Sequence, residues 1–183
     1  MRCPIVTTLV FGMMSLAGCA ATIPVNYTAQ NFARYEGRAN VGSFQYVPAN
    51  TGKVAPNQIQ STAIGSIYVA ANVADLVQRA TALELEKTGF RLGDNNPLVL
   101  SGDILEFQAD DLGYSVDWSY SIRYKISRKA DGSELLNKIY LADRKTTGKF
   151  GEASDYAPSI NEMILSGYDK FIRDDQVRKI FSQ

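Results

Sequence analysis

The chain has 183 residues, 45% of them apolar, and its 19 Lys and Arg balance 19 Asp and Glu. No basic or acidic block occurs, which argues against a nucleic-acid partner, since such a partner normally leaves an electrostatic footprint. There is no histidine and there are two cysteines, Cys3 and Cys19. That excludes Ser-His-Asp and Cys-His nucleophile systems and zinc sites built on imidazole.

At the N-terminus, Met1 and Arg2 form a minimal positive start. Residues 5–16 are uncharged and mostly apolar, a run of signal-peptide length that is short for a bilayer span. The run ends in Leu16-Ala17-Gly18-Cys19, which resembles the lipobox of bacterial lipoproteins. That resemblance implies cleavage before Cys19, a diacylglyceryl group on its thiol and acylation of the new N-terminus. The competing reading, a short transmembrane anchor with an incidental cysteine, is opposed by the run length and by the four-residue box. Two or more acyl chains anchor a protein stably where one holds it only marginally. Ala20, not Asp, follows the cysteine, which points to the outer membrane of a Gram-negative envelope, with the domain facing the periplasm. Cys3 leaves with the signal and Cys19 carries lipid, so the mature domain has no disulfide and depends on its core.

The sequence therefore divides into a signal peptide at 1–18, the lipidated cysteine and a flexible tether at 19–36, and one domain at 37–183. The tether reading rests on Pro24 and on the Asn, Thr and Gln that interrupt any apolar period. Val41, Phe44, Tyr46 and Val47 then suggest a strand broken by Pro48, and 48–62 reads as a loop. Residues 64–70 form a short second strand. Asn72 offers a helix N-cap, and Val73, Leu76, Val77, Ala80 and Leu83 recur at helical spacing. Gly89 ends that helix, with Lys87 in its last turn where a cation suits the dipole. Phe90 and Leu92 extend again, up to a turn at Asp94-Asn95-Asn96-Pro97.

Leu98, Leu100, Gly102 and Ile104 alternate, with a bulge or shift at 105–107. Tyr114, Val116, Trp118, Tyr120, Ile122, Tyr124 and Ile126 then occupy every second position, the period of a β-strand with one apolar face. Asp131-Gly132 marks a hairpin turn, and a third strand spans 134–146 with Leu136, Tyr140 and Leu141 as buried positions. Pro158 suits an early helical position, with Ser154 or Asp155 as cap. Ile160, Met163, Ile164, Gly167, Phe171 and Ile172 form its apolar stripe, and Val177, Ile180 and Phe181 continue into a short segment. The expected fold class is α+β: an antiparallel β-sheet with two helices packed on one face, behind the lipidated tether.

Chemistry is sparse. Asp103, Glu106, Asp110, Asp111 and Asp117 lie close in sequence, but a glycosidase pair is defined by spatial separation, and the plain reading is solvated strand and turn carboxylates. Asp94-Asn95-Asn96 lacks the other ligands and the glycine of a calcium loop. No catalytic residue, metal or cofactor is expected. Tyr114, Trp118, Tyr120 and Tyr124 read first as the strand face that packs under the helices, and alternatively as a groove for lipid or glycan. The opposite face, with Asp117, Arg123 and Lys125, reads as solvated and alternatively as a docking surface.

Three features together resemble the YajG family of enterobacterial-type lipoproteins: the lipobox, the helix end Leu83-Glu84-Leu85-Glu86-Lys87-Thr88-Gly89-Phe90, and Leu98-Val99-Leu100-Ser101-Gly102-Asp103-Ile104-Leu105-Glu106-Phe107 with the aromatic strand after it. The resemblance covers about residues 64–145. It implies fold and location but no site residues. The architecture is also similar to auxiliary lipoproteins of envelope lipid-transport machines, including the LptE type. The leading expectation is a non-enzymatic, membrane-anchored lipoprotein that binds a periplasmic or outer-membrane protein. A lipid- or glycan-binding module comes second and a carboxylate-based cell-wall hydrolase last.

Overall fold

The computed structural model describes residues 22–31, 33–62, 66–149 and 152–182. The lipobox and Cys19 lie outside them. In chain order the elements are β1 (Thr22–Ile23), β2 (Gly37–Tyr46), α1 (Val47–Asn50), β3 (Gln58–Ser61), β4 (Ile67–Val69), α2 (Val73–Thr88), β5 (Phe90–Leu92), β6 (Leu98–Asp110), β7 (Ser115–Arg128), β8 (Glu134–Leu141), β9 (Lys145–Gly148), α3 (Ala157–Ile172) and α4 (Asp175–Phe181).

The fold is α+β, as the patterning predicts, but the sheet is mixed and not antiparallel. Strand β6 is its axis. Along one side β7 runs antiparallel to it, from Leu98 opposite Arg128 to Asp110 opposite Asp117. Along the other side β2 and β3 lie parallel to it, one beyond the other. Strand β5 extends this side parallel to β2, while β4 pairs antiparallel with β3 and β1 parallel with β4. Parallel neighbours need a crossover connection. Here α2 carries the chain back along the sheet between β4 and β5, a path that local alternation does not reveal. The third strand expected at 134–146 is two strands, β8 and β9, both antiparallel to β7 and separated at residues 142–144. A register shift between Ile104 and Glu106 supplies the anticipated bulge. It moves the buried phase from Leu100 and Ile104 to Phe107 and Ala109.

Both long helices cover one face, α2 over β2 and β5, α3 over β7 and β8. Helix α2 ends at Gly89, whose φ of 108° is left-handed and whose N–H donates to the carbonyls of Glu86 and Leu85. Asn72 stands at the N-cap position, but its side chain makes no capping hydrogen bond. Pro158 opens α3 as expected. Ser154 and Asp155 do not cap it: they fall in a 3-10 turn, Ala153–Tyr156, where Asp155 and Glu152 form a reciprocal capping box. The apolar stripe of α3 is buried throughout. At Gly167 the helix comes so near β7 that a Cβ would lie 2.7 Å from the Tyr120 ring.

Two expectations about the N-terminal half need correction together. Leu83 is 42% exposed, whereas Glu84 beside it is fully buried. A buried carboxylate is costly unless hydrogen-bonded, and the supposed tether satisfies this one. Tyr27 Oη donates to Glu84 Oε1 at 2.6 Å, and the Gln30 and Asn31 amides donate to its two oxygens at 3.0 Å each. Asn31 Nδ2 also donates to Asp169 at 2.9 Å, and the Tyr35 amide to the Thr88 carbonyl at 2.8 Å. Ile23 is fully buried on the β1–β4 ladder. From Thr22 to Glu36, where described, the chain is laid against the domain and is not a loose tether.

Candidate functional site

Alternation along β7 sends consecutive side chains to opposite faces, so the candidate residues split into two groups. Trp118, Tyr120 and Tyr124 point under the helices and are at most 2% exposed. Tyr124 stacks on Phe171 with ring centroids 4.3 Å apart and meets Phe44 edge-on. Its hydroxyl lies 3.2 Å from Thr81 Oγ1. Tyr120 packs edge-on against Phe107, and Trp118 against Tyr156. The indole N–H of Trp118 donates to Thr147 Oγ1 at 3.0 Å. Burial pushes the Tyr120, Tyr124 and Tyr168 hydroxyls well above the ordinary tyrosine range, so they stay protonated. These rings fill the core and leave no groove. Tyr114 departs from the stripe altogether: it lies before β7 in the turn after β6 and is fully exposed.

The other face of β7 is uncovered. Arg123 and Lys125 converge on Asp103 of β6, Nη1 at 3.4 Å and Nζ at 2.6 Å from Oδ2. Ser119 donates to Glu106 at 2.7 Å, and Thr146 of β9 to Asp117 at 2.5 Å. On the neighbouring edge strand, Ile139 stands opposite Arg123 and Leu141 opposite Ser121, 42% and 62% exposed. Where β8 breaks from β9, a cleft of about 480 Å³ opens over this face, bordered by Glu106, Asp117, Leu141, Arg144 and Lys145. Ile139 and Leu141 were not singled out beforehand as surface residues, and Leu141 was expected to be buried. Alternation along β8 reverses that: with Tyr140 buried in the core, its neighbours Ile139 and Leu141 face outward.

The remaining carboxylates are tied into the structure. Asp110 accepts from Thr62 Oγ1 at 2.6 Å and from the Leu112 amide at 3.2 Å. These bonds hold it below the usual carboxylate range, which suits an ion and not a general acid. Asp111 is buried beside it and receives Thr62 at 3.3 Å. Asn96 closes the 94–97 turn by donating to the Ala39 and Arg91 carbonyls, both at 2.9 Å. Among the described residues no group of three His, Cys, Asp or Glu is arranged to hold a metal. No helix among them is long and apolar enough to cross a membrane.

What these observations define is a class: an α+β domain with a mixed sheet, helices on one face and the other face open. The same fold occurs in protein XCC0632 from Xanthomonas campestris, a member of family DUF330. That protein aligns over 88% of this chain and 96% of its own with a TM-score of 0.66 at 9% identity. Protein CT253 from Chlamydia trachomatis aligns over 75% and 94% respectively, with a TM-score of 0.50 at 11% identity. Lipoprotein GNA1162 from Neisseria meningitidis aligns over 70% and 98%, but its TM-score of 0.33 at 12% identity is too distant to carry an argument. No family model and no curated protein matches the sequence. At these identities the likeness establishes the fold alone.

Proposed function

We propose that this chain is a non-enzymatic envelope lipoprotein, anchored in the outer membrane through Cys19, whose open sheet face docks a periplasmic or outer-membrane protein. The lipobox carries the anchor, and the YajG resemblance agrees with it. The single structural observation behind the docking role is the pairing of exposed Ile139 and Leu141 with the Asp103–Arg123–Lys125 cluster on one uncovered face. Protein interfaces are built in this way, with apolar side chains beside charges that set register and partner choice. The Trp118, Tyr120 and Tyr124 rings are committed to the core, so a lipid- or glycan-binding reading cannot use them as a binding platform.

The test places a photo-crosslinking residue at Ile139 or Leu141 of the lipidated protein in cells, with Ala130 as the control position. The expected result is one dominant protein adduct from the face and none from the control. Glycan or lipid adducts alone would favour the second reading, and no adduct above control would remove the docking face. In parallel, Cys19→Ser is expected to abolish lipid labelling and release the protein into the soluble fraction.

A further inference from the structure

Strand register fixes which end of the sheet approaches the anchor. Thr22 lies opposite Tyr68, Tyr68 opposite Gln58, and Gln60, two residues on, opposite Gln108 of β6. Strand β1 is parallel to β4 and antiparallel to β3, so the N-terminal end of β1 at Thr22 faces the way in which β3 and β6 run. Strand β6 ends in the turn to β7. That turn is therefore at the end of the sheet that the N-terminal end of β1 faces. The Asp131-Gly132 turn is at the opposite end.

Only Ala20 and Ala21 stand between Cys19 and Thr22, and three residue steps span at most about 10 Å. With Ile23 buried and Tyr27, Gln30 and Asn31 clamped to Glu84, no slack follows. The turn reaches about 20 Å beyond the level of Thr22 at roughly 3.4 Å per residue, so it projects past the farthest position Cys19 can reach. On this turn stand two of the most exposed large apolar side chains among the described residues, Leu112 at 71% and Tyr114 at 101%. Such a projection matches the depth of about 5–10 Å to which apolar surfaces enter the headgroup boundary. Tyrosine also favours that boundary, with its ring in the apolar zone and its hydroxyl in water. Asp110 and Asp111 are drawn back from the tip by Thr62, and exposed Lys149 follows β9 beside it.

We infer that the turn at residues 112–114 is a membrane contact: the domain stands on this end of its sheet, and Leu112 and Tyr114 enter the headgroup region of the bilayer that holds the Cys19 lipid. This rests on the lipidation proposed above. Carboxylates stand behind the tip, so the contact is apolar and does not depend on anionic lipid. It holds the open face of β7 upright and accessible to a partner.

The experiment uses full-length protein made in a bacterial host, extracted in detergent and reconstituted into phosphatidylcholine vesicles. With Cys3 removed and Cys19 blocked, one introduced thiol can carry an environment-sensitive fluorophore. Gly113→Cys suits this: its φ is not left-handed, and its Cβ would meet nothing nearer than 4.0 Å. Ala130→Cys, in the turn at the far end of the sheet, is the control. The label at 113 is expected to shift to the blue and be quenched by lipids bearing a nitroxide high in the acyl chain, and the label at 130 to do neither. Adding Leu112→Ser and Tyr114→Ser should abolish the shift while vesicle flotation and the acylated N-terminal mass persist. An acylated, floating protein whose label at 113 behaves like that at 130 overturns the membrane contact and leaves lipidation standing. An N-terminal peptide without acyl mass overturns both.

Discussion

The two faces of β7 are built from alternate residues of one segment, yet they obey different physics. Trp118, Tyr120 and Tyr124 are sealed under α3 and α2, where each ring meets other rings and each missing atom leaves a void. Asp117 meets solvent and Thr146, and Arg123 and Lys125 meet solvent and Asp103, where a lost contact is replaced by water. The covered face thus sets stability and the open face is free to serve recognition. An aromatic stripe in a sequence marks the first role far more readily than the second.

That contrast can be broken at graded cost. Tyr124→Ala, which removes a ring between Phe44 and Phe171, should destabilise the domain by about 3–5 kcal/mol, measured by urea unfolding of the soluble Cys19→Ser form. A loss under about 1 kcal/mol would mean that this face is not a dry core. Glu84→Ala sharpens the comparison with a buried polar group. It strips the acceptor from Tyr27 and from the Gln30 and Asn31 amides, and should cost about 1–3 kcal/mol. Faster hydrogen exchange at those two amides, with β7 still protected, would show that the segment after Cys19 detaches before the sheet opens. The smallest stability effect belongs to the open face. Arg123→Ala leaves Lys125 on Asp103 and should change stability by less than about 1 kcal/mol, while the crosslink yield at Ile139 falls. If stability drops and the yield holds, the cluster is structural.

The split of roles along β7 was legible because period two admits only one backbone, and the same holds for the helix ending at Gly89 and the stripe on α3. Leu83 and Glu84 were not legible in the same way. Helical spacing favours burying the leucine, but Tyr27, Gln30 and Asn31 arrive from more than fifty residues upstream to satisfy the carboxylate. Tyr114 fits the alternation perfectly and still falls outside it, because β6 and β7 end at Asp110 and Ser115 and leave it in the turn. Ile139 and Leu141 are surface residues because alternation along β8 from buried Leu136 and Tyr140 places them on the open face, so neighbours Tyr140 and Leu141 cannot both be buried there.

By itself, the sequence determined what depends on residue identity and on neighbours a few positions apart: the Leu16-Ala17-Gly18-Cys19 motif, the strand and helix periods, the glycine stop, and the absence of histidine. The tertiary structure alone decided which strands run parallel, that the described residues between Thr22 and Glu36 are held down, and that the turn at 112–114 lies at the end of the sheet that the start of β1 faces. The reason is physical. Local periodicity arises from backbone geometry within one element, whereas pairing order, the satisfaction of a buried charge and the exposure of a turn depend on residues far apart in the chain, and come into being only when the whole sheet closes on its helices.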